Sequence, residues 1–240
     1  MTIRIAMLSG PRNISTAMMR SWENRSDTEV VDEPFYANFL DATGFDHPGR
    51  IETLESQDTD AERVGRMLRG TPPGGSPVWY QKHMTHHLRA GVDRSWMQHV
   101  VPCFLIRQPD EMLASLHAKT PCPTLEDTGL PQQVELFDAA MANGVPPVID
   151  ARDVLERPRA MLSALCDVLG LPFEEAMLSW PAGPRDSDGA WAPYWYDSVW
   201  QSTGFQPWSP KSTSLPESMR QVLDECERCY DHLHQHRITV

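Results

Sequence analysis

A chain of 240 residues, 40 % hydrophobic and 22 % charged, has the make-up of one α/β domain with a sizeable core, or of one domain with a small subdomain. Its formal net charge of −12 speaks against general nucleic-acid binding and against docking on an anionic membrane surface. No apolar run approaches the roughly 18 residues of a membrane span, and Met1-Thr2-Ile3-Arg4-Ile5 does not open a signal peptide, so the expected location is cytoplasmic. The five cysteines are odd in number. Cys103 and Cys166 sit in apolar patterns, and the Cys226-x-x-Cys229 pair lies inside a helical pattern with no second pair, which favours packed thiols over a zinc or redox site.

In chain order, Ile3–Leu8 is a short apolar run that predicts a strand buried on both faces. A turn and a helix to about Arg25 follow, with Ser15 or Thr16 as cap. Glu29–Asp32 predicts a second strand, and Pro34 at a first helical position predicts a helix through about Ala42. Residues 43–58 are polar and rich in turn signals, so a loop is expected before a helix over Asp60–Arg69. Val78–Lys82 and Val100–Ile106 predict the third and fourth strands, and Pro109–Ala118 and Pro131–Asn143 the next helices. Pro147–Ile149 predicts a fifth strand, Pro158–Leu169 an amphipathic helix stopped at Gly170, and Pro216–Gln235 a closing helix. Strands alternating with helices imply a three-layer α/β fold, a central parallel sheet flanked by helices. Residues 1–240 read as one domain, with an aromatic loop or lid over 180–214. In such sheets ligands bind beyond the carboxyl ends of the strands.

Ser9-Gly10-Pro11-Arg12-Asn13-Ile14-Ser15-Thr16 leaves the first strand and opens the first helix. That arrangement aims free N–H groups and the positive end of a helix dipole at one spot, to which Arg12 and two hydroxyls add donors; it predicts a phosphate-binding loop. It is not a Walker A loop, because Ser15 and Thr16 stand where that motif needs glycine and lysine. Arg107 leaves the fourth strand, with Ser115 two helical turns later, and an arginine fork suits a phosphate.

The order and spacing of these segments resemble the sulfotransferases that use 3′-phosphoadenosine-5′-phosphosulfate (PAPS) and release 3′-phosphoadenosine-5′-phosphate (PAP). The match runs through Pro11–Thr16, which departs from the family pattern at Asn13 and Ile14, through an intact Arg107-x7-Ser115, and through Val148–Pro158 with Leu169–Phe173, covering most of residues 1–180. The resemblance implies a P-loop-NTPase-like sulfotransferase architecture and PAPS as co-substrate, with no metal. Gly10, Pro11, Arg12, Asn13, Ile14, Ser15 and Thr16 would form its nucleotide loop. Arg12, Ser15 and Thr16 would hold the 5′-phosphosulfate there, and Arg107 and Ser115 the 3′-phosphate. It implies Glu33 as general base, with Asp32 as the neighbouring alternative, and Lys82 facing the transferring group. The family's histidine carries over loosely to His83 or His86, within the cluster His83, His86 and His87. Catalytic roles thus fall on Glu33, Lys82, His83 and Arg12.

The aromatic stretch Trp191–Trp208 reads either as a wall for an apolar or aromatic small-molecule acceptor, or for adenine, or as a satellite core under a long loop. Arg185 and Lys211 flank it within reach of a phosphate. His232, His234 and His236 read as a frayed polar tail. A homodimer is left open. Two other readings stand beside sulfuryl transfer. One is a P-loop-like nucleotide kinase or hydrolase, for which Asp150 is the candidate Mg²⁺-holding acid. The other is a catalytically inactive nucleotide-binding protein of the same fold.

Overall fold

The computed structural model of the chain describes residues 2–210 and 214–240. Strands β1 (Ile3–Ser9), β2 (Thr28–Asp32), β3 (Val78–Met84), β4 (Val101–Ile106) and β5 (Val148–Asp150) form one all-parallel sheet in the order β2-β3-β1-β4-β5. The helices are α1 (Ser15–Glu23), α2 (Tyr36–Thr43), α3 (Arg50–Ser56), α4 (Ala61–Leu68), α5 (Pro109–His117), α6 (Leu130–Ala140), α7 (Ala151–Glu156), α8 (Pro158–Val168), α9 (Ala192–Trp195), α10 (Asp197–Trp200) and α11 (Arg220–His234).

The apolar run of β1 is central because it is apolar on both faces. Its odd-numbered Ile5 and Met7 pack with Tyr80 and Leu105 against Met18, Trp22, Met161 and Leu165 from α1 and α8. Its even-numbered Ala6 and Leu8 pack with Phe104 and Ile106 against Phe35, Leu68, Trp96 and Phe137. Chain direction and register bring the ends of β1, β2 and β3 together: Ser9 lies opposite Met84, and Asp32 opposite Lys82. Past α11 the chain returns to the sheet edge, where the Ile238 amide donates to the Val148 carbonyl at 2.8 Å.

Several boundaries differ from the sequence expectation. The loop expected over 43–58 contains α3, entered from Gly49 at φ 80° without a capping side chain. Of its seven residues only Thr53 is buried, so it leaves no amphipathic stripe to read. The helix expected from Pro34 begins at Tyr36 instead, because Glu33 adopts φ 42° and turns the chain first. Neither Ser15 nor Thr16 caps α1. Ile14 at φ 56° is the cap residue, with no side-chain bond to the helix. The closing helix proper is α11, preceded by one tight turn over Glu217–Met219.

Candidate active site

The loop after β1 is set by contacts to distant parts of the chain. Gly10 lies so close to the next layer that a Cβ there would stand 2.3 Å from the Thr128 carbonyl oxygen. The Asn13 amide donates to the Leu105 carbonyl at 3.3 Å, which seats the loop on the end of β4. Arg12 and Ile14 both take left-handed backbone angles, φ 62° and 56°. Two such non-glycine residues in one loop are costly, on the order of 1–3 kcal/mol each, and mark a functional segment. The result is a helix start whose first N–H groups have no capping side chain. Pro11, Arg12, Asn13, Ile14, Ser15 and Thr16 all line one cavity of about 440 Å³. Gly10 lies behind them.

Arg107 and Ser115 reach the same loop. Arg107 Nη1 donates to the Arg12 carbonyl at 2.7 Å, and its Nε and Nη2 take one oxygen of Glu111 at 3.2 and 2.9 Å. Arg12 Nε donates to Ser115 Oγ at 2.9 Å, which leaves the Ser115 hydroxyl proton free to donate onward. Burial and the neighbouring Arg107 both lower the pKa of Arg12. Among the described residues no carboxylate pairs with Arg12, so this end of the cavity carries uncompensated positive charge. Trp208 closes it, its indole N–H donating to Glu111 at 3.0 Å.

At the other side of the cavity Lys82, at the end of β3, is completely enclosed. Its Nζ donates to Asp32 Oδ1 at 2.7 Å, Glu33 Oε1 at 2.5 Å and the Tyr196 hydroxyl at 2.6 Å. Burial opposes the lysine charge, but Asp32 and Glu33 outweigh it and hold the Lys82 pKa well above its usual value. Burial, helped by Asp32, pushes the Glu33 carboxyl upward against the pull of Lys82. The Glu33 side chain keeps a face on the cavity, and His87 Nδ1 stands 4.0 Å from its second oxygen.

Beyond Glu33 the cavity wall is built of rings. Tyr36 stacks on His87 (4.5 Å between centroids), His47 on Trp195 (4.8 Å), and Phe39 lies edge-on to His86. Tyr36 and His47 are also hydrogen-bonded. Trp191 packs beneath Tyr36, so the aromatic stretch is wall and satellite core together. His47 was not singled out in the sequence, where it lies in a segment read as loop; no spacing marks it.

His83 takes a different place from the one expected of it. Strand alternation turns it to the face opposite Lys82, where it is enclosed between Phe35 and Trp96 and does not line the cavity. His86 and His87 do line it. Arg185 pairs with Glu23 at 2.8 Å rather than facing the phosphate loop. Lys211 lies outside the described residues. Asp150 caps α7 through the Arg152 amide and accepts from Tyr230, away from the cavity. Cys226 and Cys229 are free thiols on α11, their pKa values raised by burial. His232 and His234 belong to α11 rather than to a frayed tail. Among the described residues no group of three or more His, Cys, Asp or Glu is placed to hold a metal ion. No described helix is long and apolar enough to cross a membrane.

The buried histidines make the fold acid-labile. Burial lowers His83 to about 3 and His86 to about 4, below the 6.5 of an unfolded histidine. Each stays neutral in the native state while the unfolded chain takes up the proton. Their contribution is therefore complete above pH 6.5 and is lost as pH falls toward about 4 for His86 and about 3 for His83. The loss approaches about 1.4 kcal/mol per pH unit per histidine. Thermal unfolding followed by circular dichroism should show the melting temperature dropping steeply below pH 6, and His83→Leu should flatten that slope.

A parallel sheet in this order, with a strand–loop–helix turn after its central strand and an acid–lysine pair across one cavity from it, has the architecture of a P-loop-like α/β protein. A sequence profile of the sulfotransferase domain matches residues 3–233, and the chain belongs to that family. Two Arabidopsis thaliana proteins, branched-chain-amino-acid aminotransferase-like proteins 1 and 2, are 40 % and 36 % identical over 95 % of this chain. The chain spans 41 % of the length of each, so what those names say belongs to the longer proteins. Among solved structures, a sulfotransferase from Alicyclobacillus acidocaldarius superimposes with a TM-score of 0.59 at 12 % identity, over 100 % of this chain and 98 % of that one. The sulfotransferase domain of the Synechococcus PCC 7002 olefin synthase does so with 0.54 at 18 %, over 94 % of each chain. At those identities the likeness is one of fold.

Proposed function

We propose that the chain moves a sulfuryl group from PAPS to a hydroxyl or amine on a small acceptor. The observation that carries this reading is that one cavity joins the Arg12–Arg107–Ser115 end to the Glu33–Lys82 end. The nucleotide fits the first end by its chemistry. A helix start without a capping side chain, a half-buried guanidinium with no carboxylate pair among the described residues and a serine with a free proton are all donors to phosphate oxygens. Arg12, Ser15 and Thr16 would hold the 5′ end, and Arg107 with Ser115 the 3′-phosphate. The bound nucleotide supplies the sulfuryl group and a phosphate leaving group.

The chain's own part is positioning and proton transfer. Glu33, kept basic by burial, takes the acceptor proton as the acceptor bonds to sulfur and the bond from sulfur to the 5′-phosphate oxygen breaks. Lys82 has three N–H groups and three acceptors. Once Glu33 is protonated, one N–H is released to follow the negative charge that develops across the cavity, which favours the transition state over the ground state. The ring wall of Tyr36, Phe39, His47, His86 and Trp195 excludes water and gives an apolar or aromatic acceptor its surface. Burial keeps His47 and His86 near 4, hence neutral at pH 7. The kinase or hydrolase reading is disfavoured because Asp150 is spent on a helix cap and a tyrosine.

The test is ligand-induced stabilisation. PAP at about 100 times its dissociation constant should stabilise the protein by about 2.7 kcal/mol, roughly 5–10 °C at this chain length. AMP should give little, and Arg107→Ala and Ser115→Ala should each lose most of the PAP shift. An equal shift with AMP, or a shift only with Mg²⁺ and ATP, overturns the reading. PAP binding with no transfer from PAPS to any member of an acceptor library would reduce the protein to a nucleotide binder.

A further inference from the structure

Tyr196 is brought to Lys82 and Asp32 from the far end of the chain, and its hydroxyl is used completely. It accepts from Lys82 Nζ at 2.6 Å and from the Trp191 indole at 3.1 Å, and it donates to Asp32 Oδ2 at 2.7 Å. Asp32 Oδ2 also accepts the Gly189 amide at 3.2 Å. The segment that carries these groups is fastened to α1. Asp188 pairs with the fully buried Arg20 at 2.5 Å, Arg185 with Glu23 at 2.8 Å, Ser187 bonds to Glu23, and Trp200 donates to Asp188 at 2.9 Å. The aromatic segment is therefore fastened to α1 through ion pairs, of which Arg20–Asp188 is buried, and to the ends of β2 and β3 through the Tyr196 hydroxyl.

We propose that Tyr196 is a positioning residue of the transfer centre, holding the Lys82 ammonium midway between Asp32 and Glu33. The proposal rests on the sulfuryl-transfer reading and adds to it a residue that no sequence motif marks. Its basis is the donor–acceptor count. The three Nζ protons have three acceptors, one of which is the tyrosine oxygen. Tyr196 in turn ties Asp32 Oδ2, so that carboxylate cannot swing to take both Lys82 and the space in front of Glu33. Without the hydroxyl, one buried N–H is left unsatisfied and Lys82 turns toward a carboxylate. The groups that face Glu33 are Asp32 on its own strand end, Lys82 from β3, His87 just beyond β3, and Tyr196. The Tyr196 hydroxyl gives its proton to Asp32, so it acts on Glu33 through Lys82, whose charge holds the Glu33 pKa down against burial; losing the hydroxyl frees Lys82 to turn to Asp32 and raises Glu33.

Tyr196→Phe is the test, with sulfuryl transfer from PAPS as one readout and the ¹³C-NMR titration of the Glu33 carboxyl as the other. The expected result is a fall in kcat of about tenfold or more and donor KM and PAP affinity within twofold of wild type. The acid limb of kcat and the NMR midpoint should both move upward, and together. Trp191→Phe, which removes the indole bond to the hydroxyl together with part of a buried ring, should move the acid limb and the NMR midpoint the same way by less. It provides the reading should Tyr196→Phe not fold. A fall in melting temperature with kcat, acid limb and NMR midpoint unchanged would make Tyr196 merely structural and overturn the proposal. The NMR midpoint is independent of donor identity. Failure of PAP to bind the wild-type protein overturns the sulfuryl-transfer reading, whereas an unshifted Glu33 midpoint overturns this one.

Discussion

Lys82→Met is expected to abolish transfer and to destabilise the fold by about 3–5 kcal/mol. Asp32, Glu33 and Lys82 are all screened from water, and Lys82 is the cation that both carboxylates share. Removing it leaves two buried acids side by side with no counter-charge, and such a change costs far more than the pair contributes net. On the proposed mechanism the same change removes the N–H group that would stabilise charge in the transition state, for which losses on the order of 10²–10³ in rate are typical. Urea denaturation and single-turnover transfer from PAPS separate the two effects. Adding Asp32→Asn should restore much of the stability, because one acid then remains instead of two, and should restore no activity. A stable but inactive double variant is the outcome that assigns Lys82 a part in the chemistry. A Lys82→Met protein of wild-type stability would mean that the carboxylates are paired otherwise than the geometry shows.

Gly10→Ala is the second change with a large expected effect. The new methyl would lie 2.3 Å from the Thr128 carbonyl oxygen, a backbone atom that cannot step aside alone. Thr128 is fully enclosed, its hydroxyl bonded to the Leu125 carbonyl at 2.5 Å, and the next carbonyl, that of Gly129, accepts from Thr85 at 2.7 Å. Either the 126–129 turn or the phosphate loop must shift. Overpacking of this kind costs on the order of 1–3 kcal/mol. A shift of either changes the path of the loop backbone, so its N–H groups lose their common aim and PAP affinity should fall at least tenfold. Calorimetric titration with PAP checks this. Unchanged affinity would show that the loop tolerates the shift and that its backbone does not set the binding geometry.

The fold was legible in the chain because strands and helices alternate with strong apolar patterning, and β1 and β4 in particular carry apolar runs that fit only the middle of a parallel sheet. The small helix α3 was not legible: it buries a single residue and is entered from a glycine. At the candidate site, the loop after β1, Arg107, Glu33 and Lys82 could be singled out because each stands at or near a strand end or opens a helix, and Ser115 by its spacing from Arg107; the structure brings them to one cavity. His83 shows the limit of reading a cluster by proximity in sequence. It follows Lys82 directly, and strand alternation alone sends the two side chains to opposite faces. Tyr196, Trp191, His47 and Glu111 had no such signal as site residues. Tyr196 and Trp191 stood in a stretch readable as core or as wall, and tertiary contacts, not spacing, bring Tyr196 to Lys82.

The phosphate loop lies within the first sixteen residues, yet little in those residues gives it its shape. Its seat is the Leu105 carbonyl, its backing the Thr128 carbonyl, its guanidinium brace Ser115, and its own Arg12 carbonyl is held by Arg107. During synthesis β1 emerges first but has no hydrogen-bonded neighbour until β3 and β4 have followed, and the loop has no fixed form until the turn near residue 129 has been made. The edge strand β5 pairs with β4 on one side, and only its outer side waits for the returning segment at Ile238. The shape of the loop is thus withheld until the segment through residue 129 has found its place, and a fragment that contains the loop alone carries the motif without its supports.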